Sequence, residues 1–214
     1  MGGGLSHGWA AKGMGFTIFE PALDVANEVD RELAVTESGA LSLMGDPELA
    51  SIVAAARQAF GTKMAAISIV HQDWQYLIAA DGLPGGVYDR RSSFCGHAIR
   101  SGQPLFWVAD AERDPRFAGN PAVLEGLRIR FYAGAVLRAA DGIALGTLCV
   151  FDTEPRSDAA LIDPRLFAPY VAAALARIDA AAGRRDREGA AGPATMLPND
   201  PAIITAGWQP IQRR

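Results

Sequence analysis

The segment Ser92–Ile99 (Ser-Ser-Phe-Cys-Gly-His-Ala-Ile) carries the densest set of reactive side chains in the sequence. Cys95 and His97 are residue types that can form a nucleophile with its base, or two ligands of a metal. In a helix over 93–100 they point in different directions, because helical neighbours are spaced three and four residues apart. Cys95 then lies in the first turn, where free backbone N–H groups and the helix dipole lower the pKa of a thiol.

Each of these two residues keeps two interpretations. Cys95 is either a small buried core residue, as cysteine often is, or a thiol that contacts a ligand or responds to oxidants. His97 is either a polar group of a pocket or a histidine held by a structural hydrogen bond. The chain has 3 histidines and no H-E-x-x-H pattern, so we predict no metal site.

A second cluster, Asp110–Pro121 (Asp-Ala-Glu-Arg-Asp-Pro-Arg-Phe-Ala-Gly-Asn-Pro), is rich in the residues of structured loops. Arg116 and Phe117 within it offer a cation and a stacking face to a ligand. In the alternative interpretation, Arg116 pairs with Asp110 or Asp114 and fixes the loop.

A third cluster lies in a predicted strand over 129–137. Alternation places Ile129, Phe131, Ala133 and Ala135 on an apolar face that packs on helices, and places Arg130, Tyr132, Gly134 and Val136 on the other. The neighbouring strand presents Thr147, Cys149 and Phe151 on one face.

From these clusters we predict a small-molecule site defined by Arg130 and Tyr132. Phe94, His97 and Phe117 would form its walls. Arg130 would favour a carboxylate or phosphate, which it can hold with two hydrogen bonds. The competing interpretation is structural, with Arg130 paired to an acid of the 110–114 loop.

Composition and missing motifs narrow the function classes. The net charge of −4 makes nucleic acid an unexpected partner. The chain contains no G-x-x-x-x-G-K-[ST], no G-x-G-x-x-G after a strand and no G-x-S-x-G, so common nucleotide-binding and hydrolase sites are not predicted. Two cysteines suit a reducing cytoplasm, and we expect neither a signal peptide nor a membrane-spanning helix.

The elements that would position these residues alternate helices with hairpins. The predicted helices are Pro21–Ser38, one from Pro47 to Gly61 capped by Asp46, 93–100, a short one starting at Asn120-Pro121, and Pro164–Ala182; the predicted strands are Met64–Val70, Trp74–Ala80, Leu105–Ala109, Ile129–Leu137 and Leu145–Phe151. Hairpin connections indicate a largely antiparallel sheet and an α+β domain. We predict a flexible N-terminus over 1–20, one domain over 21–182 and a flexible tail over 183–214.

Together the clusters resemble the GAF domain family, from about Pro47 to Ala182. The resemblance rests on five segments: Ser-Phe-Cys-Gly-His-Ala-Ile, Val108-Ala-Asp-Ala, Asp114-Pro-Arg-Phe-Ala-Gly-Asn-Pro121, Ile129-Arg-Phe-Tyr-Ala-Gly-Ala and Leu145-Gly-Thr-Leu-Cys-Val-Phe-Asp152. It is similar to the GAF sensors of bacterial histidine kinases and diguanylate cyclases. The resemblance implies an antiparallel sheet with the terminal helices on one face. On the other face it implies a pocket roofed by the 93–100 helix and the 110–121 loop.

The resemblance also limits the ligand. Bilin-binding GAF domains typically place Cys and His side by side, whereas Gly96 separates Cys95 from His97 here. We therefore expect no covalent bilin, and the cofactor is unknown. The Asn-Lys-x-x-x-Phe-x-x-x-Asp-Glu pattern of cyclic-nucleotide-binding GAF domains is absent from the sequence, so cyclic GMP is not implied.

Two functional hypotheses follow. The first is a non-catalytic, cytoplasmic sensor that binds an unidentified small molecule and acts through a separate output protein. The second is a thiol-dependent redox enzyme or sensor that uses Cys95 and Cys149, similar to free methionine sulfoxide reductases. The expected site residues are Phe94, Cys95, His97, Asp110, Arg116, Phe117, Arg130, Tyr132 and Cys149. We also predict a homodimer through the helices Pro21–Ser38 and Pro164–Ala182, because alanine lies on nearly all faces of the second helix.

Overall fold

The computed structural model of the protein describes residues 18–157 and 162–189. Its elements in chain order are α1 (Glu28–Ser38), α2 (Pro47–Phe60), β1 (Met64–His71), β2 (Trp74–Asp81), β3 (Gly86–Asp89), α3 (Phe94–Arg100), β4 (Leu105–Val108), α4 (Pro121–Leu124), β5 (Phe131–Arg138), β6 (Ala144–Asp152) and α5 (Pro164–Gly189). Short 3₁₀ helices cover Ala40–Leu43 and Arg90–Ser92. The strands form one antiparallel sheet in the order β3-β2-β1-β6-β5-β4. The α+β prediction is confirmed.

Local capping explains why three helices begin where the sequence predicts. The Asp46 carboxylate accepts hydrogen bonds from the N–H groups of Glu48 and Leu49 at the start of α2. Ser93 caps α3 by accepting from the Gly96 N–H group, and Asn120 caps α4 in the same way. Each cap satisfies donors that a helix cannot pair internally.

The first helix differs from its prediction. It begins at Glu28 rather than Pro21, because residues 20–22 form a bridge over α3 in which the N–H of Ala22 donates to the Arg91 carbonyl at 2.9 Å. The spacing of Ala22, Val25, Val29, Leu33 and Thr36 predicts one apolar face for this helix. That prediction is wrong, since Val29 and Leu33 are exposed while Arg31 is buried.

Two further expectations need correction. The glycine-rich segment 81–86 predicts a turn, and no strand is predicted after it. Strand β3 begins at the end of that segment and pairs with β2 at the edge of the sheet. Ile129 precedes β5 and packs in the same cluster as Tyr132, not on the face of Phe131 and Ala133. A strand's alternation does not extend to a residue outside it.

The sheet separates two apolar layers. On one face α1, α2 and α5 cover Ile67, Phe131 and Leu148, and on the other α3, α4 and the 110–120 loop cover Tyr132 and Cys149. The terminal helices therefore share one face, and the second face is roofed by short helices and loops, as the resemblance implies.

Helix α5 runs beyond the predicted end at Ala182. Its inner side packs Phe167 against Phe60, with ring centroids 4.3 Å apart. Over Pro164–Arg184 it is long and apolar enough, by length and composition alone, to cross a membrane, but Phe167, Ala174 and Ile178 belong to the core. The predicted N-terminal segment and tail lie largely outside the described residues.

Candidate functional site

A pocket of about 70 Å³ lies between β2, β3 and the first turn of α3. Its apolar wall includes Leu77, Tyr88, Phe94, Ile129 and Phe151. We call it the α3 pocket. It lies on the face and beneath the helix that the sequence indicates.

The polar side chain of this pocket is one that the sequence analysis missed. Gln75 lines the pocket, is 7% exposed, and its side-chain amide has no hydrogen-bond partner within the described residues. Asp89 and Ser93 also line the pocket, but each caps a helix, accepting from the N–H groups of Arg91 and Gly96 respectively. The hydroxyls of Tyr88 and Ser92 donate to the carbonyls of Pro84 and Asp89. Among the described lining residues, Gln75 therefore offers a side chain with both its donor and its acceptor uncommitted.

The aromatic residues predicted as walls form a stack instead. The rings of Phe94 and Phe117 lie 4.2 Å apart at 11°, and those of Phe94 and Tyr132 lie 5.2 Å apart at 22°. Only Phe94 reaches the α3 pocket, since Phe117 and Tyr132 are fully buried behind it. This aromatic stack packs beneath helix α3.

Arg130 lies outside the pocket, in the arrangement that the structural interpretation predicts. Its guanidinium donates to both carboxylate oxygens of Asp110, at 2.7 and 2.8 Å, and pairs with Glu112 at 2.9 Å. These hydrogen bonds with Arg130 hold the pKa of Asp110 below its usual value. The pair fixes the start of the 110–120 loop, and the structure does not place Arg130 in the lining of the α3 pocket.

Arg116 is committed in a similar way. It donates to both oxygens of Asp114, at 2.9 and 2.6 Å, and its guanidinium lies 5.0 Å from the ring centroid of Phe106. The hydrogen bonds from Arg116 lower the pKa of Asp114. This geometry matches the alternative interpretation, in which Arg116 pairs with Asp114 and fixes the loop.

His97 faces a different, open depression that also contains Glu20, Arg100 and Arg116. Its Nε2 lies 3.0 Å from the Glu20 carbonyl oxygen, which fixes residues 20–22 on α3. Burial lowers the pKa of His97, so the neutral ring donates this hydrogen bond at neutral pH. His97 thus has the structural hydrogen bond of its second interpretation.

Cys95 and Cys149 form a buried thiol pair beneath the roof. Their sulfur atoms are 3.9 Å apart, and the Tyr132 hydroxyl donates to Cys95 Sγ at 3.5 Å. Cys149 Sγ donates to the Ala66 carbonyl oxygen at 3.4 Å. Both cysteines are completely buried, yet Cys95 is part of the wall of the α3 pocket.

The environment separates the acidities of the two thiols. Burial raises the pKa of Cys95, but the neighbouring thiol of Cys149 and the nearby hydroxyls of Thr147, Tyr132 and Ser68 favour the thiolate, outweigh burial and bring that pKa below its usual value. Burial, followed by the interaction with Cys95, raises the pKa of Cys149 far above its usual value. Any negative charge in the pair therefore resides on Cys95.

A buried ionic cluster links the rim of the α3 pocket to α1. Arg90, which follows the pocket residue Asp89, donates to both carboxylate oxygens of Glu28, at 2.6 and 2.9 Å. Arg31 also pairs with Glu28 and donates to the Val70 carbonyl. Burial raises the pKa of Glu28, but the hydrogen bonds from Arg90 and Arg31 bring it down to about 2. Within residues 18–157 and 162–189, no three His, Cys, Asp or Glu side chains are grouped to hold a metal.

An antiparallel six-stranded sheet with the terminal helices on one face and a pocket under α3 on the other makes the protein a small α+β domain. The GAF domain family model matches residues 46–175, and the chain belongs to this family.

A relative supports the assignment to a signalling family. The chain is 43% identical over 152 residues to the cyclic di-GMP phosphodiesterase PA2567 of Pseudomonas aeruginosa. The matched region is 71% of this chain and 26% of the length of that relative, so the chain spans about a quarter of it.

Two solved structures share the fold at low identity. The GAF domain of PixJ from Thermosynechococcus elongatus, in its blue-light absorbing form, has a TM-score of 0.52 and 14% identity, covering 71% of this chain and 92% of that one. A free methionine-R-sulfoxide reductase from Neisseria meningitidis has a TM-score of 0.50 and 19% identity, covering 69% of this chain and 87% of that one.

Proposed function

We propose that this GAF domain is a non-catalytic, cytoplasmic sensory domain that binds a small uncharged molecule in the α3 pocket and acts through another signalling protein. The observation that carries the proposal is the side-chain amide of Gln75, which is enclosed in the pocket wall without a hydrogen-bond partner in the described chain. The donor and acceptor atoms of this amide are accessible from the pocket rather than sealed in the core. A ligand with a complementary donor and acceptor would bind them through two hydrogen bonds.

The charges around the pocket favour an uncharged ligand. No Lys, Arg or His is among the described residues that line the α3 pocket, and the lining acid Asp89 disfavours an anion. Arg130 and Arg116, which the sequence analysis offered for anion binding, are held by Asp110 and Asp114. A carboxylate or phosphate in the α3 pocket would therefore lack a counter-charge.

The size of the pocket sets a second limit. A cavity of roughly 150 Å³ holds benzene, whereas the α3 pocket measures about 70 Å³. A ligand of several heavy atoms requires the outer wall to move, and that wall is β3, a four-residue edge strand paired only with β2. An outward shift of β3 would enlarge the pocket while the central strands β1, β5 and β6 keep their pairing.

The ionic cluster connects the rim of the α3 pocket to helix α1, so it can couple ligand binding to a movement of that helix. Arg90 lies between the pocket residues Asp89 and Ser92, and it binds Glu28 in the first turn of α1. A ligand that shifts the 89–92 segment must therefore shift Arg90 or break its pair with Glu28. This supports α1 as the element that responds to binding.

The output is proposed to pass through the terminal helices of a homodimer. Val29 and Leu33 lie one turn apart on α1 and are exposed, and the outer side of α5 exposes Leu166 and several alanines. A contiguous apolar surface on a folded domain is a typical association site. Because the relative is a cyclic di-GMP phosphodiesterase, we propose an enzyme of cyclic di-GMP turnover as the regulated partner.

Thermal shift measurements with paired probes test the proposed function. We would compare 2-pyrrolidone with pyroglutamate and uracil with orotate, since each pair differs in an added carboxylate. The neutral probes should raise the Tm of the parent and leave that of Gln75→Leu unchanged, whereas Gln58→Leu, an exposed change on α2, should behave like the parent. Bare protein in native mass spectrometry, together with no shift from either neutral probe, would overturn the proposal.

A further inference from the structure

The buried thiol pair brings together two sulfur atoms from separate elements of the fold. Cys95 comes from the roof helix α3 and Cys149 from the central strand β6, 54 residues apart in sequence, yet their sulfur atoms are 3.9 Å apart. A disulfide bond is about 2.05 Å long. To form one, the two sulfur atoms, now 3.9 Å apart, must approach by about 1.9 Å.

Hydroxyl groups surround Cys95 in this buried site. Tyr132 donates to its sulfur, and the hydroxyls of Ser68 and Thr147 are completely buried with no hydrogen-bond partner in the part of the chain that the structure describes. Ser68 and Thr147 are paired across β1 and β6, and Thr147 precedes Cys149 by two residues on the same strand face. Polar groups without partners are uncommon in an apolar core.

These hydroxyls are suited to an anion rather than to a neutral thiol. A neutral thiol is a weak acceptor and gains little from several donors, whereas a thiolate or a sulfenate accepts several hydrogen bonds. Cys149 is in the opposite situation, because its thiol donates to the Ala66 carbonyl oxygen and keeps its proton there. The site therefore provides a nucleophilic sulfur at Cys95 and a protonated second sulfur at Cys149.

We propose that Cys95 and Cys149 are a two-electron redox pair that reacts with a small hydroperoxide and closes as an intramolecular disulfide. The Cys95 thiol releases its proton to solvent, and its thiolate attacks the terminal O–H oxygen of the hydroperoxide. The O–O bond breaks, and the departing alkoxide or hydroxide takes up one proton from solvent in place of the one that Cys95 released. Cys95 is then a sulfenic acid. The sulfur of Cys149 attacks it, the S–O bond breaks, and the hydroxyl leaves with the Cys149 proton as water. In sum, two thiols and one hydroperoxide give one disulfide, one alcohol or water, and one further water.

The α3 pocket determines which oxidants reach this pair. Cys95 contributes to the pocket wall but is fully shielded from bulk water. Hydrogen peroxide is small enough for a pocket of about 70 Å³. It is also uncharged, which suits a pocket whose described lining includes no Lys, Arg or His. Glutathione disulfide is large and anionic, and we expect it to react with neither sulfur.

The disulfide would also change the ligand site. Ser93 and Phe94 line the α3 pocket from the same helix turn as Cys95. Drawing Cys95 towards β6 pulls these residues towards the sheet and narrows the pocket. Oxidation would thus modify the sensor at its binding site.

Peroxide titration of the whole chain tests the pair directly. The folded parent is treated with a tenfold excess of hydrogen peroxide, quenched with catalase, unfolded, labelled with N-ethylmaleimide and weighed. We expect both labels to be lost, with a mass 2 Da lower and a Cys95–Cys149 cross-linked peptide. Peptide mapping separates this product from oxidation of the 5 methionines.

Single variants identify the roles of the two sulfurs. Cys149→Ala should leave a sulfenic acid at Cys95 that dimedone traps, and Cys95→Ala should leave Cys149 fully labelled. Tyr132→Phe keeps the ring and removes one hydroxyl, so it should slow oxidation at least threefold at pH 7, with the fold checked by circular dichroism. Glutathione disulfide should give no mixed disulfide with the folded parent.

Three results would overturn the proposal. The first is that both thiols stay fully labelled in the folded parent while the unfolded chain oxidises. The second is cross-linking between chains only, and the third is faster oxidation of Cys149 than of Cys95 in the single variants. Each can be recorded without any ligand, so failure here is distinct from failure of the proposed sensory function.

Discussion

The hydroxyl of Tyr132 lies directly over Gly134, two residues further along the same face of β5. A Cβ atom at position 134 would be 2.1 Å from the Tyr132 hydroxyl oxygen and 2.6 Å from Cζ. The absence of a side chain at Gly134 therefore allows the tyrosine ring to lie along the strand and to place its hydroxyl against Cys95.

Gly134→Ala should destabilise the domain and displace that hydroxyl. Tyr132 is completely buried, so its ring has no free space into which to move, and overpacking of this kind costs about 1–3 kcal/mol. Urea unfolding measures the loss. As a control, Gly183→Ala on α5 meets no atom within 4 Å and should be neutral or slightly stabilising. Equal midpoints for the two variants would contradict the close contact.

The Glu28 cluster should make stability fall at acid pH. The folded-state pKa of Glu28 is lowered from 4.5 to about 2, so the carboxylate stabilises the fold fully above pH 4.5, and this stabilisation is lost as the pH falls towards 2. The loss is about 3 kcal/mol from this group. Urea midpoints between pH 2 and 7 measure it.

Glu28→Gln supplies the comparison for this pH dependence. It should be less stable than the parent at pH 7, because Arg31 and Arg90 remain buried without their carboxylate. The difference between the two proteins should shrink as the pH falls from 4.5 to 2. A constant difference would place the pH dependence elsewhere.

Arg130→Ala should leave binding of neutral probes in the α3 pocket unchanged and lower the melting temperature modestly. Arg130 is outside the pocket lining, and its partners Asp110 and Glu112 hold a loop rather than a ligand. Binding curves for uracil and thermal melts measure the two effects separately. Lost binding with an unchanged melt would restore the site that the sequence analysis placed at Arg130.

The dimer prediction concerns the exposed apolar residues of α1. Light scattering of the parent should give about twice 22.6 kDa. Val29→Glu with Leu33→Glu should give a single-chain mass, because both side chains are exposed on α1 and charge disfavours burial there. Leu124→Glu, on the opposite face of the sheet, is the matched control and should remain dimeric. A parent with the mass of one chain would reject the dimer.

The prediction that Cys95 carries no covalent bilin also stays open to a direct measurement. Its thiol is completely buried beside a pocket of about 70 Å³, which leaves no room for a linear tetrapyrrole. The purified protein should show no visible absorption band. A band that survives denaturation would contradict this prediction.

Signals confined to a few neighbouring residues predict the fold well. The caps at Asp46 and Asn120 and the hairpin between β1 and β2 are set by local hydrogen bonds and alternation, and the structure confirms them. Strand β3 was missed because its extended conformation is stabilised by pairing with β2. The residues of the strand carry no local sequence pattern that predicts this pairing.

The functional site was harder to predict than the fold, because it depends on contacts between residues that are distant in the sequence. Whether Arg130 binds a ligand or Asp110 depends on where the 110–120 loop folds, so the sequence left both possibilities open. Gln75 did leave a signal, since it alternates with Leu77 on β2 and therefore shares its face. A glutamine at such an inward position indicates a buried polar contact, but its missing partner becomes visible only in three dimensions.

The order of the strands also constrains how the chain acquires its fold during synthesis. Strand β1 is buried along its whole length, and it lies between β2 and β6. Its hairpin with β2 forms early, but its other edge stays unpaired until residues 146–151 have left the ribosome. At about 5–20 residues per second this interval lasts several seconds. Throughout that time an apolar strand edge is exposed in the nascent chain, so chaperone binding to residues 64–71 should protect it from aggregation.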